Sequence, residues 1–106
     1  MSNVPEQHVS IKKRFKKILT AVDNLGKATR NAGPIDKKTS HLIQLSAASA
    51  IRSEGSVHSH TRRALEAGAT TEEIYHTIIL LINIIGFPTV SAALSWADDI
   101  IIKKQA

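Results

Sequence analysis

Apolar residues return along this chain at spacings near three and four, which predicts helices rather than strands. Over about residues 6–31, Val9, Ile11, Phe15, Ile18, Leu19, Val22 and Leu25 follow that period and leave the lysines on the opposite face, so one amphipathic helix is expected. Asn31-Ala32-Gly33-Pro34 ends it, with glycine past the last turn and proline beyond. A second helix is expected from Asp36 as N-cap to about Ser53. Its run Ser46-Ala47-Ala48-Ser49-Ala50 suits close approach by neighbours at the centre of the packing. A third, short helix is expected from about Ser56 to Ala67, ending at Gly68.

Thr70-Thr71-Glu72-Glu73 has the form of a capping box, in which Thr70 and Glu73 satisfy each other's orphan amides. The helix it opens carries Ile74, Ile78, Ile79, Leu80, Leu81, Ile82, Ile84 and Ile85. β-Branched residues favour sheets, but the cap and the length of about 16 residues to Gly86 favour a helix. After Gly86-Phe87-Pro88 a last helix runs from Thr89 to about Ile102. The expectation is therefore an all-α single domain, residues 1–106, of about five helices. The fourth helix is apolar nearly all round and must be covered on every side. Four other helices in 106 residues do not suffice for that, so a homo-oligomer is expected.

Charge is unevenly placed. The net charge of +5 comes from 14 Lys+Arg against 9 Asp+Glu, yet residues 1–38 hold nine of the basic residues and only three acids. The remainder is near neutral. Lys12-Lys13-Arg14-Phe15-Lys16-Lys17 reads as a solvated helix face, and nucleic acid is not an expected partner. The chain has no cysteine, which excludes a disulfide scaffold, a zinc finger, an iron–sulfur site and thiol chemistry. MSNVPEQHVS lacks the apolar core of a secretory signal. The apolar run Ile78–Ile85 is far shorter than the roughly 20 residues of a bilayer span. A cytoplasmic protein without membrane segments is expected.

The chemistry-bearing residues concentrate in Ser53-Glu54-Gly55-Ser56-Val57-His58-Ser59-His60-Thr61-Arg62-Arg63, at the start of a helix. Ser56 and His60 lie one turn apart on one face. His58 and His60 are two residues apart and diverge on a helix, which makes a poor metal site, so neither a metal nor another cofactor is expected.

Ser53-x-x-Ser56-x-x-x-His60 has the spacing of the C-x-x-C-x-x-x-H motif of the alkylhydroperoxidase D / carboxymuconolactone decarboxylase family. Ile35-Asp-Lys-Lys-Thr-Ser-His-Leu-Ile43 resembles the helix start ahead of that motif. Arg63-Ala-Leu-Glu-Ala-Gly-Ala-Thr-Thr-Glu-Glu-Ile74 resembles the segment after it, and Gly86-Phe-Pro-Thr-Val-Ser-Ala-Ala resembles the family's turn. The likeness covers about residues 34–102 and implies an alkylhydroperoxidase D-like helical bundle that assembles as a trimer or hexamer.

The resemblance departs at the reacting groups. Ser53 and Ser56 stand at the cysteine positions, His41 at the glutamate position on the preceding helix, and Gly55 where some relatives carry a histidine; His60 matches. A hydroxyl cannot cycle through sulfenic acid and disulfide, so thiol peroxidase chemistry is closed to this chain. Carboxymuconolactone decarboxylases work without the cysteine pair, which implies acid/base chemistry on a small carboxylate or lactone. His60 is then the proton donor, Arg62 or Arg63 holds the anion, Glu54 or His58 orients the imidazole, and a polar pocket holding His60 with Glu54, His58 or His41 is expected. The alternative implied by the resemblance is an antioxidant peroxidase scaffold, inactive as a thiol peroxidase because Ser53 and Ser56 replace its cysteines.

Overall fold

A computed structural model describes residues 6–105, apart from the side chains of residues 7, 8, 104 and 105. The first part of the segment expected to lack a targeting signal therefore lies outside the described residues. Every regular element described is helical: α1 (Glu6–Arg14), α2 (Lys16–Arg30), α3 (Lys37–Ala50), α4 (Glu54–Glu66), α5 (Thr71–Ile79), α6 (Ile82–Ile85) and α7 (Phe87–Gln105). The all-α expectation holds, with seven segments rather than about five. The chain forms two compact units that divide between Ile35 and Asp36.

In the first unit, the single helix expected over 6–31 is broken at Phe15, whose φ of −131° and ψ of 53° leave the helical region. An unbroken helix would stack Lys12 on Lys16 and Lys13 on Lys17 at i, i+4, where like charges repel. The Arg14 guanidinium instead lies over the Phe15 ring, 5.5 Å from its centre. Lys12 pairs with Asp23 at 3.4 Å.

The second unit is organised around α3. Asp36 caps it as expected, its carboxylate accepting the Thr39 N–H at 2.7 Å. His41, Leu45, Ala48 and Ser49 form its buried stripe. Small residues at 48 and 49 let α4 approach, and Ser49 returns its own hydroxyl to the Leu45 carbonyl at 2.8 Å. The connection to α4 is correspondingly tight. Arg52 N–H donates to Ser49 O and Ser53 N–H to Ala48 O, the paired bonds of a Schellman turn. Arg52 occupies the left-handed position at φ 58°, a conformation usually left to glycine. Its guanidinium reaches Thr89 Oγ1 at 3.2 Å. α4 ends in the same kind of turn, with Gly68 in the left-handed place.

The core joins Leu45 and Ala48 of α3, Val57 and Ala64 of α4, Ile74 and Ile78 of α5, and Val90, Ala93, Ala97 and Ile101 of α7. The helix expected from Thr70 to Gly86 is interrupted at Leu80–Leu81. Leu81 N–H bonds to Ile78 O, three residues back, and tightens the turn. The break lets Leu81, Ile82 and Ile85 lie against the core, whereas Ile79, Leu80 and Ile84 are exposed. β-Branched residues crowd a continuous helix, which lowers the cost of that interruption. The last helix begins at Phe87, two residues earlier than expected, because Pro88 fits a first turn whose amides need no helical partner. No helix among the described residues is long and apolar enough to cross a membrane.

The Thr70–Glu73 capping box is present in both directions, and Glu73 also accepts from Lys38 of α3 at 3.1 Å. The Thr70 N–H and then Lys38 hold the Glu73 carboxyl below its ordinary 4.5, and the Thr39 N–H holds Asp36 below its ordinary 3.8. Both groups are more acidic folded than unfolded. Their contribution is thus complete above those ordinary values and is lost as pH falls through the lower folded ones. Thermal melts from pH 6 to pH 2 should show stability declining through that window. Thr70→Ala should cost about 1 kcal/mol at neutral pH by urea denaturation, and an unchanged midpoint would count against the box.

Candidate functional site

The residues singled out by the sequence all lie on α3, α4 and the turn between them, within the second unit. α4 begins at Glu54, two residues before the expected start, with Ser53 as its N-cap. Successive positions on an α-helix turn by about 100°, and this phase divides the polar cluster. Ser53, Ser56 and His60 share one flank of the buried Val57–Ala64 stripe. Glu54, His58 and Arg62 fall on the other.

On the first flank His60 meets His41. The two Nδ1 atoms are 3.3 Å apart, and the rings lie 5.5 Å centre to centre at 34°. His41 is only 2% exposed and belongs to the core stripe of α3, whereas His60 is half-buried. One Nδ1 must carry hydrogen and the other a lone pair, since two Nδ1–H groups would face each other across 3.3 Å. The pair therefore shares one proton along this line, and the neutral ring that accepts it carries its own hydrogen on Nε2. Ser56 is half-buried one turn before His60. Ser53 is half-buried too, and its hydroxyl does not cap α4.

On the second flank His58 Nε2 lies 2.9 Å from Asp99 Oδ2 of α7 and 4.0 Å from Glu54 Oε2. The structure thus pairs His60 with His41, while His58 and Glu54 gather at Asp99. Arg62 and Arg63 are half-buried further along α4. Ligand atoms of Glu54, His58 and Asp99 all lie within 4.8 Å of one another, so these residues could hold a metal ion, with both carboxylates at the surface.

Asp99 was missed by sequence reasoning; the signal was the adjacent pair Asp98-Asp99, the two acids of α7. The neighbouring Asp98 has its own role. It accepts the Tyr75 hydroxyl at 2.6 Å and, chiefly through that bond, pushes the phenol above its ordinary 10.0.

A family comparison matches residues 16–99, most of the chain and both units, to the Carboxymuconolactone decarboxylase family. The chain belongs to the carboxymuconolactone decarboxylase family. The structure is also similar to the crystal structure of an apo carboxymuconolactone decarboxylase family protein from Legionella pneumophila. The TM-score is 0.74 at 26% identity, covering 89% of this chain and 87% of that one. Comparison with curated proteins finds no match. Family membership agrees with the motif resemblance, and the all-helical fold of the second unit is the frame in which the His41–His60 pair is set.

Thr61, next to His60 in the sequence, is fully buried, and its hydroxyl has no hydrogen-bond partner among the described residues. An unsatisfied buried hydroxyl carries a desolvation cost of roughly 1–3 kcal/mol. Thr61→Val keeps the shape and removes that group. It should raise unfolding stability by about 1 kcal/mol without shifting the far-UV spectrum, and a loss of stability would reveal a partner for the hydroxyl.

Proposed function

We propose that this carboxymuconolactone decarboxylase family protein is a small enzyme that performs acid–base chemistry on a small carboxylate or lactone, with His60 as the proton-transfer group. The observation that carries this reading is the 3.3 Å Nδ1–Nδ1 pairing of His60 with the buried His41. A general acid must be held in one orientation and keep a titratable nitrogen for the substrate. His41 holds His60 at Nδ1, and Nε2 is assigned the transfer in this reading.

In a decarboxylation the bond between the carboxylate carbon and the ring carbon breaks, and carbon dioxide departs. The electron pair delocalises toward the lactone carbonyl, and the proton on His60 Nε2 goes to carbon. His41 accepts from His60 Nδ1–H and stabilises the imidazolium before transfer. Arg62 or Arg63 is assigned the departing carboxylate, since a cation must hold the anion in place. Glu54 and His58, gathered at Asp99, shape the outer edge of α4 and do not orient His60 in this scheme.

We also read the protein as one domain built from both units, because the family match runs across their boundary. A homo-oligomer is supported by the exposure of Leu80, Ile84 and Phe87 at 62%, 78% and 64%. These three apolar side chains invite cover by neighbouring copies.

The test is a panel of small carboxylated γ-lactones followed by ultraviolet absorbance and carbon dioxide release. His60→Ala should lower kcat/KM on any substrate found by about 100- to 10,000-fold, and His60→Gln should do the same. Wild-type turnover of every active compound by His60→Ala would falsify the reading.

A further inference from the structure

Two carboxylates and an imidazole converge on the flank of α4 that the acid–base reading leaves unused. His58 Nε2 lies 2.9 Å from Asp99 Oδ2 and 4.0 Å from Glu54 Oε2, and one ligand atom from each of the three residues lies within 4.8 Å of the others. Glu54 and His58 are one turn apart on α4, the i, i+4 spacing that brings two side chains together beside a helix. Asp99 comes from α7, 41 positions away from His58. The divergence of His58 from His60 argues against a metal between those two histidines. It does not bear on a metal held by His58 with these two acids.

The separations are those of donors around one ion. Two atoms bound at about 2.1 Å stand about 3.0 Å apart at a right angle and about 4.2 Å apart when opposite. The His58–Asp99 separation of 2.9 Å matches the first, and the His58–Glu54 separation of 4.0 Å falls between the two. An ion pair accounts for Asp99 alone, since the bond at 2.9 Å takes the one hydrogen on Nε2. Glu54 suits the first turn of a helix wherever it points, yet it brings a second negative charge to the same nitrogen. The Glu54 and Asp99 side chains are 58% and 50% exposed against 21% for His58. The carboxylates therefore have room to close on an ion, and water has room to reach it.

We propose that Glu54, His58 and Asp99 bind one divalent metal ion of the zinc type, which clasps the start of α4 to α7. One imidazole nitrogen with two carboxylate oxygens suits zinc or cobalt, whereas calcium and magnesium take oxygen ligands throughout. The ion takes the place of the hydrogen between His58 Nε2 and Asp99. The ring keeps its hydrogen on Nδ1 and gives the Nε2 lone pair to the metal. The two carboxylates balance the charge of a divalent ion, and three protein ligands leave a fourth position to water. The site lies across α4 from His60 and shares no residue with the His41–His60 pair.

The experiment is calorimetric titration of the tag-free full chain with zinc chloride, repeated with calcium chloride and magnesium chloride. About one zinc per chain should bind, with calcium and magnesium much weaker. His58→Gln and Asp99→Asn should each weaken zinc by at least about 100-fold, the upper end of what losing an outer-shell partner costs, and Glu54→Gln by at least about 10-fold. Circular dichroism checks that each metal-free variant keeps its helices. His60→Gln, and His76→Gln at an exposed imidazole of α5, should leave zinc affinity in place. Zinc at a hundred times its Kd should raise the wild-type Tm by about 10 °C and leave that of Asp99→Asn where it was. Absence of zinc binding, affinity that survives His58→Gln or Asp99→Asn, affinity lost with His60 or His76, a preference for calcium or magnesium, or binding without a rise in Tm overturns the proposal. The readouts are binding and melting, so the site and the acid–base activity stand or fall separately.

Discussion

The close approach of α3 and α4 is the constraint on which the rest of the second unit depends. Two helices joined by a turn this short pack closely only if the residues between them are small, and Ala48 and Ser49 supply that on α3. The Schellman turn fixes the phase of α4 relative to α3, since Ser53 is both the last residue bonded back to α3 and the N-cap of α4. Shifting that phase by one residue would rotate His60 by about 100° and take it away from His41. The histidine contact is therefore set by turn geometry before side-chain chemistry enters. The left-handed Arg52 belongs to the same constraint: glycine would relieve the backbone but would give up the bond that ties the turn to Thr89 of α7.

Features encoded by local chemistry were legible in the sequence. Asp36 and the Thr70–Glu73 box announce helix starts because their side chains satisfy amides two or three residues away, and Gly68 announces a stop because it takes the left-handed backbone at little cost. The interruptions at Phe15 and Leu80–Leu81 were not legible, because residues there are compatible with helix one by one. Like-charge stacking decides the first, and the need to place Leu81, Ile82 and Ile85 against the core decides the second. The turn at Arg52 was hidden for a related reason, since arginine carries no signal for a left-handed backbone.

The candidate site was legible in membership and not in grouping. His41, Glu54, His58 and His60 were all named, but the sequence offered three partners for His60. Helix phase separates them, and it could be applied only once the first residue of α4 was known. Asp99 stands 41 positions from the His58 it bonds, so no local pattern could have tied them.

Replacing a carboxylate by an imidazole beside His60 changes what the pair can do. Where the family resemblance places a glutamate, His41 brings no negative charge to His60. A doubly positive state would bury a second charge beside the first at 3.3 Å, in a site where His41 is almost fully enclosed. In the proposed acid–base reading, a singly charged pair attracts an anion and gives up one proton, which suits a departing carboxylate. A thiolate would compete for that same positive charge and pair with it. A neutral hydroxyl at Ser53 or Ser56 does not, so the two departures that the resemblance implies, serine for thiol and imidazole for carboxylate, act in the same direction in that reading.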